Sequence, residues 1–369
     1  MTRLAALAAL VTLATVTARA DKLVLVAGGG DGPDGSPAVK AKLVQPFGVT
    51  IAHGDGTVFI VEMAKGERLR SYNLLTHRLI TLAGSLGEKG YAGDGGGGTQ
   101  ARFNGMHSLA ADPTRLNMDI YLADTWNNCV RKYDLFIGKV TAFAGTGEKG
   151  FGGDGGPALK AKFGGVYCIA LDRRGPNQDL SVYITDLDNR RIRKVDGVTG
   201  IVTTVAGNGQ KGVPKDGESA TEQPLVDPRA AVVDAKGNLY ILERSGHALR
   251  VVDAAGRIRT VAGTGKAGSG GVGGKALEAQ MNGPKHLCVD RDGSVVIADT
   301  ENHRILRYVP GEEKLVHVAG SGKKGSAGVG GDPLKAELSQ PHGVTVHPHT
   351  GELWVVDTGN NRILKITKD

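Results

Sequence analysis

The chain is poor in cysteine, in aromatic residues and in long apolar runs. It has three cysteines among 369 residues, and 5% of its residues are aromatic. An odd, sparse set of cysteines does not make a disulfide framework. Cys168 and Cys288 lie in apolar strand patterns, which predicts buried thiols. Few aromatics also argue against a protein that stacks on nucleic-acid bases, so we expect no nucleic-acid partner.

Beyond the N-terminal segment, no apolar run reaches the ~18 residues that a membrane-spanning helix needs. The N-terminal segment has a basic tip, an apolar stretch over residues 4–16, and small residues at Ala18 and Ala20. This pattern is typical of a secretory signal peptide, so we expect residues 1–20 to be cleaved and the mature chain to begin at Asp21. The mature protein is then secreted or periplasmic and not inserted in a membrane. Cleavage removes two arginines and lowers the formal net charge from +7 to +5. The remaining positive charge favours anionic partners only weakly.

Glycine is abundant, with 57 residues, about twice the usual ~7%. The stretch TVAGTGKAG at 260–268 has the G-x-G-x-x-G spacing of a dinucleotide-binding turn. Closely related phrases begin at residues 81, 141, 204 and 316, and no helix-length apolar pattern follows them. The phrase therefore marks a repeat and does not predict a nucleotide site.

Six repeats cover the mature chain. Their first strands open 56 to 62 residues apart, at Pro46, Met106, Val166, Pro228, Pro284 and Pro341. Each repeat contains short apolar patterns for four strands, separated by turn residues, which predicts an all-β fold. We expect residues 21–369 to form a single six-bladed β-propeller of four-stranded antiparallel blades.

The sixth repeat ends after its third strand pattern, at Asp369. The segment Leu23-Val-Leu-Val-Ala-Gly28 copies the fourth-strand phrase. We therefore expect the N-terminal strand to complete the last blade and close the ring, which removes two exposed sheet edges.

A recurring loop follows the second strand of most repeats. It reads Asp124-Thr-Trp-Asn127, Asp186-Leu-Asp-Asn189, Asp299-Thr-Glu-Asn302 and Asp357-Thr-Gly-Asn360, and its companion strand start reads Pro46-Phe-Gly-Val49 and Pro341-His-Gly-Val344. With these motifs the chain resembles the NHL-repeat family of six-bladed β-propellers, in particular its secreted bacterial members. Two repeats depart from the pattern, with Glu62 and Glu243 in place of the Asp and Lys65 and Gly246 in place of the Asn. The resemblance implies the fold but no single activity, because the family includes lyases, RNA-binding modules and sensor domains.

The recurring Asp and Asn have a structural and a catalytic interpretation. A feature present in most blades is more typical of architecture than of a site. We expect both side chains to accept hydrogen bonds from N–H groups of their own loop.

The position after each strand-opening residue differs from repeat to repeat. It should lie at the mouth of the central channel, and the six residues are Phe47, His107, Tyr167, Arg229, Lys285 and His342. They either fill the channel or bind a ligand. None is acidic, so the ligand interpretation predicts an anionic small molecule, a glycan or a protein loop, held bidentately by Arg229. The leading hypothesis is a monomeric, non-enzymatic binding scaffold without a cofactor.

The alternative hypothesis is an enzyme. The chain distantly resembles the peptide-amidating lyase, which carries zinc-binding histidines at this position in alternate blades, and gluconolactonase-type propellers. His107 and His342 match that pattern, but Arg229 stands at the third corner and cannot coordinate zinc. His286 is offset by one residue and is expected to point away. We therefore expect no metal site, with a metal-assisted lyase or lactonase that uses zinc or calcium as the alternative.

Overall fold

In the part of the chain that the structure describes, 24 strands form six four-stranded antiparallel sheets. The computed structural model describes residues 21–112, 119–174 and 179–367. The predicted signal peptide lies outside these described residues. No helix within them is long and apolar enough to cross a membrane. The six innermost strands contact one another in a closed circle, which confirms the predicted six-bladed β-propeller.

The strands follow one another from the channel to the outer edge of each blade. Blades 1 to 3 contain β2 (Pro46–Ile51), β3 (Val58–Glu62), β4 (Arg68–Asn73) and β5 (Arg78–Gly84); β6 (Met106–Ala111), β7 (Asp119–Asp124), β8 (Cys129–Asp134) and β9 (Lys139–Ala144); and β10 (Val166–Asp172), β11 (Ser181–Asp186), β12 (Arg191–Val195) and β13 (Val202–Ala206). Blades 4 to 6 contain β14 (Pro228–Val233), β15 (Leu239–Glu243), β16 (Ala248–Val252) and β17 (Ile258–Ala262); β18 (His286–Val289), β19 (Val295–Asp299), β20 (Arg304–Val309) and β21 (Lys314–Ala319); and β22 (Val344–Val346), β23 (Leu353–Asp357), β24 (Arg362–Thr367) and β1 (Lys22–Gly28).

The second strand of a blade reads as a continuous apolar run because neighbouring blades cover both of its faces. All five residues of β23 are buried, for example. The outermost strands are more exposed. β9, for example, begins at an exposed lysine, and three of its six residues are only partly buried. The core therefore consists of apolar clusters between adjacent blades, and the residue pattern of each strand reflects its distance from the channel.

The N-terminal strand closes the ring as predicted. β1 pairs antiparallel with β24, from Lys22 opposite Thr367 to Gly28 opposite Arg362. Leu23 is fully buried in the apolar cluster between blades 5 and 6. The first and last strands of the propeller thus share one sheet.

In blades 2, 3, 5 and 6 the recurring Asp and Asn form a clasp at the end of the second strand. Asp357 accepts hydrogen bonds from the Ser339 backbone N–H, the Asn360 side-chain amide and the Arg362 guanidinium, each at 2.7 Å. Asn360 also donates to the Gly325 carbonyl. The architectural interpretation holds, but two details were wrong. The backbone donor lies 18 residues upstream of its own loop, and the Asn donates where it was expected to accept.

The glycine-rich segments link one blade to the next. Five of them end in a single 3₁₀ turn whose first residue is buried, namely Ala38–Lys40, Gly98–Gln100, Ala158–Lys160, Ala276–Glu278 and Pro333–Lys335. Gly263 opens the TVAGTGKAG glycines with φ of +92°, and a Cβ there would lie 2.2 Å from the His247 carbonyl oxygen. This position needs glycine because the chain turns against the neighbouring strand.

Candidate functional site

The inlet of the central channel is the end at which the six innermost strands begin. Five of the six predicted site residues meet there and form what we call the inlet cluster: Phe47, His107, Tyr167, Arg229 and His342. The Phe47 ring centroid lies 4.1 Å from that of His342 and 5.1 Å from that of His107. The His107 and Tyr167 centroids are 4.6 Å apart. These side chains pack against one another across the inlet, where His107, Arg229 and His342 are buried.

Lys285, the sixth predicted residue, makes a different contact. Its Nζ donates to the Glu301 carboxylate at 2.7 Å. Glu301 thereby brings a carboxylate beside the inlet that the sequence pattern does not reveal, and it neutralises the one predicted cation that is not part of the cluster.

Side-chain acceptors position the inlet residues from the neighbouring blade. Asn361, Glu67, Asn128, His247 and His303 each accept a hydrogen bond from the backbone N–H two residues before an inlet position. All five acceptors have positive φ, between 45° and 53°. The blade 3 equivalent is Arg190, which cannot accept, so the segment before Arg229 lacks this contact. Asp227 holds that segment instead, by accepting from Arg244 at 2.8 Å and from Ser245.

Arg229 is the unusual member of the cluster. Only 4% of it is exposed, and its guanidinium carbon lies 4.1 Å from the Tyr167 ring centroid. Among the described residues it forms no ion pair, and its Nε and Nη1 atoms have no hydrogen-bond partner. Burial lowers the pKa of Arg229 to about 10. The group still carries its charge at neutral pH, in a setting that disfavours an uncompensated charge.

The other buried arginines show how differently Arg229 is placed. Six of them pair with carboxylates on their own blade or its linker: Arg70, Arg131, Arg193, Arg250, Arg304 and Arg362. Those pairs recur around the ring and are architectural. Arg229 therefore breaks the symmetry at the point where the blades converge.

Hydrogen bonding fixes the tautomer of His342. Nη2 of Arg229 lies 3.2 Å from His342 Nε2. Because a guanidinium only donates, Nε2 accepts and the proton of the neutral ring sits on Nδ1. That Nδ1 is buried and has no partner among the described residues. His342 thus adds a second unused donor next to Arg229.

The tautomer of His107 is the reverse. Its Nδ1 lies 2.7 Å from the Gly105 carbonyl oxygen and 3.0 Å from the Thr125 hydroxyl. A carbonyl only accepts, so Nδ1 carries the proton and Nε2 bears a lone pair. Burial, followed by the charge of Arg229, holds the pKa values of His107 and His342 well below the usual range. Both rings are therefore neutral at physiological pH.

Aromatic side chains separate these polar groups from solvent. Phe47 and Tyr167 are half-buried. The ring of Trp126, 45% exposed, meets His107 edge-on with centroids 5.7 Å apart. Sequence reasoning missed Trp126, although it is the one tryptophan in the recurring Asp-Asn loops. It also missed the positive-φ acceptors, which directly follow the Asn of that motif in Asn128, His303 and Asn361.

The opposite end of the channel, the outlet, contains a cavity of about 420 Å³ lined by all six innermost strands. His286 lines it, accepts the Val344 backbone N–H at 3.4 Å, and has its ring centroid 6.3 Å from that of His342. The prediction that His286 points away was thus wrong in part, because it lies between the cluster and the cavity. In the described part of the chain, no group of three or more His, Cys, Asp or Glu side chains is arranged to hold a metal ion.

Comparisons with known proteins identify the repeats. The NHL repeat family matches residues 281–308 and 338–366. The chain is 28% identical over 295 residues to Protein SUPPRESSOR OF QUENCHING 1, chloroplastic, of Arabidopsis thaliana, covering 77% of this chain and 27% of that protein. It is 29% identical to NHL repeat-containing protein 2 of Bos taurus, covering 51% and 26%. The chain thus spans about a quarter of the length of these relatives.

Solved structures share the fold at low identity. An auxiliary nutrient binding protein from Bacteroides ovatus matches with a TM-score of 0.68 and 14% identity, covering 95% of this chain and 77% of that one. A gluconolactonase from Xanthomonas campestris matches with a TM-score of 0.56 and 10% identity, covering 89% and 87%. Together with the closed ring of sheets, these structures show that the chain folds as a six-bladed β-propeller, in which residues 281–308 and 338–366 match the NHL repeat.

Proposed function

We propose that this chain is an exported, non-enzymatic binding protein that holds an anionic ligand at the inlet of its channel. The observation behind the proposal is Arg229, a buried cation with unused donors and no carboxylate partner among the described residues. The similar Bacteroides fold described as an auxiliary nutrient binding protein is consistent with a binding role.

The free donors of Arg229 suit a carboxylate or phosphate. Nη2 has two protons, and His342 takes one of them. One of the two guanidinium forks, either Nε with Nη2 or Nη1 with Nη2, therefore remains free for two parallel hydrogen bonds. The unpartnered Nδ1–H of His342 is a separate buried donor, which points away from Arg229 because Nε2 of the same ring faces the guanidinium. An anion bound here would neutralise the buried charge and satisfy donors that otherwise cost free energy.

A ligand reaches Arg229 only if an aromatic side chain moves. Tyr167 covers the guanidinium, and no hydrogen bond holds the Tyr167 hydroxyl among the described residues. Gly165 lies directly against the ring, where a Cβ would approach it to 3.0 Å. We propose that rotation of Tyr167 opens the inlet to the ligand.

The proposal is tested by titrating acetate, phosphate and sulfate into purified protein, with calorimetry or ligand-observed NMR as the readout. Arg229→Met should abolish binding of whichever anion the wild type holds. Lys275→Met removes one charge from an exposed position and should leave affinity unchanged. Equal binding by the wild type and Arg229→Met would refute the proposed site.

Export is part of the proposal and has its own test. Fractionation of the native host, followed by N-terminal sequencing, should find a mature chain that begins at Asp21 outside the cytoplasm. A full-length chain in the cytoplasm would contradict it.

A metal-assisted lyase or lactonase remains the competing proposal. Elemental analysis of the purified protein separates the two. Stoichiometric zinc or calcium that is lost in a His107→Ala, His342→Ala double variant would favour the enzyme.

A further inference from the structure

We infer that the inlet selects a hydroxycarboxylate, a carboxylate with a hydroxyl group on a neighbouring carbon, over simple carboxylates of the same size. This inference rests on the proposed function and specifies the ligand class. It comes from the pattern of donors and acceptors that the two opposite histidine tautomers create.

The donor side of the site consists of Arg229 and His342. Both present N–H groups without partners among the described residues, and both are at least nine-tenths buried. The free fork of Arg229 matches the two oxygens of a carboxylate, which accepts hydrogen bonds and donates none.

The acceptor side is His107. Its Nδ1–H is committed to the Gly105 carbonyl, and its Nε2 lone pair has no hydrogen-bond partner among the residues that the structure describes. The Tyr167 ring contacts both His107 and Arg229, so the space that it leaves when it rotates adjoins both side chains, and one small molecule can contact them together. A simple carboxylate has nothing to donate to Nε2, whereas a hydroxyl beside the carboxylate does.

The walls limit the size and polarity of that molecule. Phe47 lies between the two histidines and contacts both rings, and Tyr167 faces both His107 and Arg229. When a ligand displaces water from this apolar surround, a lone pair left without a donor costs free energy, so a ligand that lacks the hydroxyl binds less well.

The test compares lactate, as both enantiomers, with propionate, which differs only by the hydroxyl. Ligand-observed NMR measures dissociation constants in the range expected for ligands this small. A neutral hydrogen bond contributes about 0.5–1.5 kcal/mol, so wild-type protein should bind one lactate enantiomer about 2- to 10-fold more tightly than propionate. His107→Phe keeps an aromatic ring but removes the acceptor, and should bind lactate and propionate equally. His107→Gln can present an amide oxygen and should restore part of the preference.

The outcomes separate this inference from the proposed function. If the wild type binds both ligands with equal affinity, and Arg229→Met abolishes that binding, the anion site stands and hydroxyl selection is refuted. If His107→Phe retains the preference for lactate, His107 is not the acceptor and the inference fails. If neither ligand nor any anion in the first titration binds, the proposed function fails and this inference fails with it.

Discussion

Replacing Arg229 with methionine should stabilise the ligand-free protein. Lowering the pKa from 12.5 to about 10 corresponds to about 3 kcal/mol against the charged form, and the side chain is too well buried for solvent to screen that cost. Methionine keeps most of the length and contacts Tyr167, but it gives up the hydrogen bond to His342, worth about 1 kcal/mol. We expect a net gain of about 1–3 kcal/mol, within the range seen when a buried charge is replaced by an apolar residue.

The assay is urea unfolding, followed by tryptophan fluorescence, in buffer free of carboxylate, phosphate and sulfate. Arg250→Met is the matched control. Arg250 is equally buried but pairs with Glu243 at 2.7 Å. Its replacement leaves the buried Glu243 carboxylate without its cation and should cost about 3–5 kcal/mol of stability. The reasoning is refuted if Arg229→Met destabilises the protein as much as Arg250→Met does.

Three further predictions concern ring closure, access and pH. Deleting residues 21–30 should produce an aggregating protein or one that melts several degrees lower, because it exposes β24 and removes the buried Leu23; an unchanged melting temperature would contradict this account of closure. Tyr167→Ala should raise the association rate of any anion that binds at the inlet, whereas Tyr167→Phe should leave it unchanged, and stopped-flow measurement of both variants checks the opening motion. Burial, aided by Arg229, lowers the pKa of His286 to about 4 from an unfolded value of 6.5. The unfolded chain therefore binds the proton first, and stability falls as the pH drops from 6.5 to 4. His286→Leu should remove about 2 kcal/mol of the stability difference between pH 7 and pH 4.5, and denaturation midpoints at the two pH values measure it.

The fold could be predicted from the sequence because the same pattern of four short strands recurs in each repeat. Six strand openings at near-constant spacing fix the number of blades, and the copy of the fourth-strand phrase at Leu23 reveals how the ring closes. The continuous apolar run of β23 follows directly from burial on both faces. Such local patterns can be recognised without knowledge of tertiary contacts.

The site was only partly accessible. The position after each strand opening identifies the side chains that meet at the inlet, but not how they meet. Lys285 pairs with Glu301, a partner 16 residues away. The spacing of the repeats does not predict that pair. The tautomers of His107 and His342 depend on contacts with Gly105 and Arg229, which only the folded chain brings together. The unpaired state of Arg229 likewise becomes visible only when every neighbouring carboxylate is seen to be engaged elsewhere.

The pairing of Lys22 with Thr367 places both ends of the described chain side by side on one outer edge. A short glycine-serine linker could join them, and new termini could be opened in any of the glycine-rich segments that link one blade to the next. Such a circular permutant would keep all six sheets while moving the break in the chain to another blade. The order in which the blades are synthesised could then be varied independently of the final architecture.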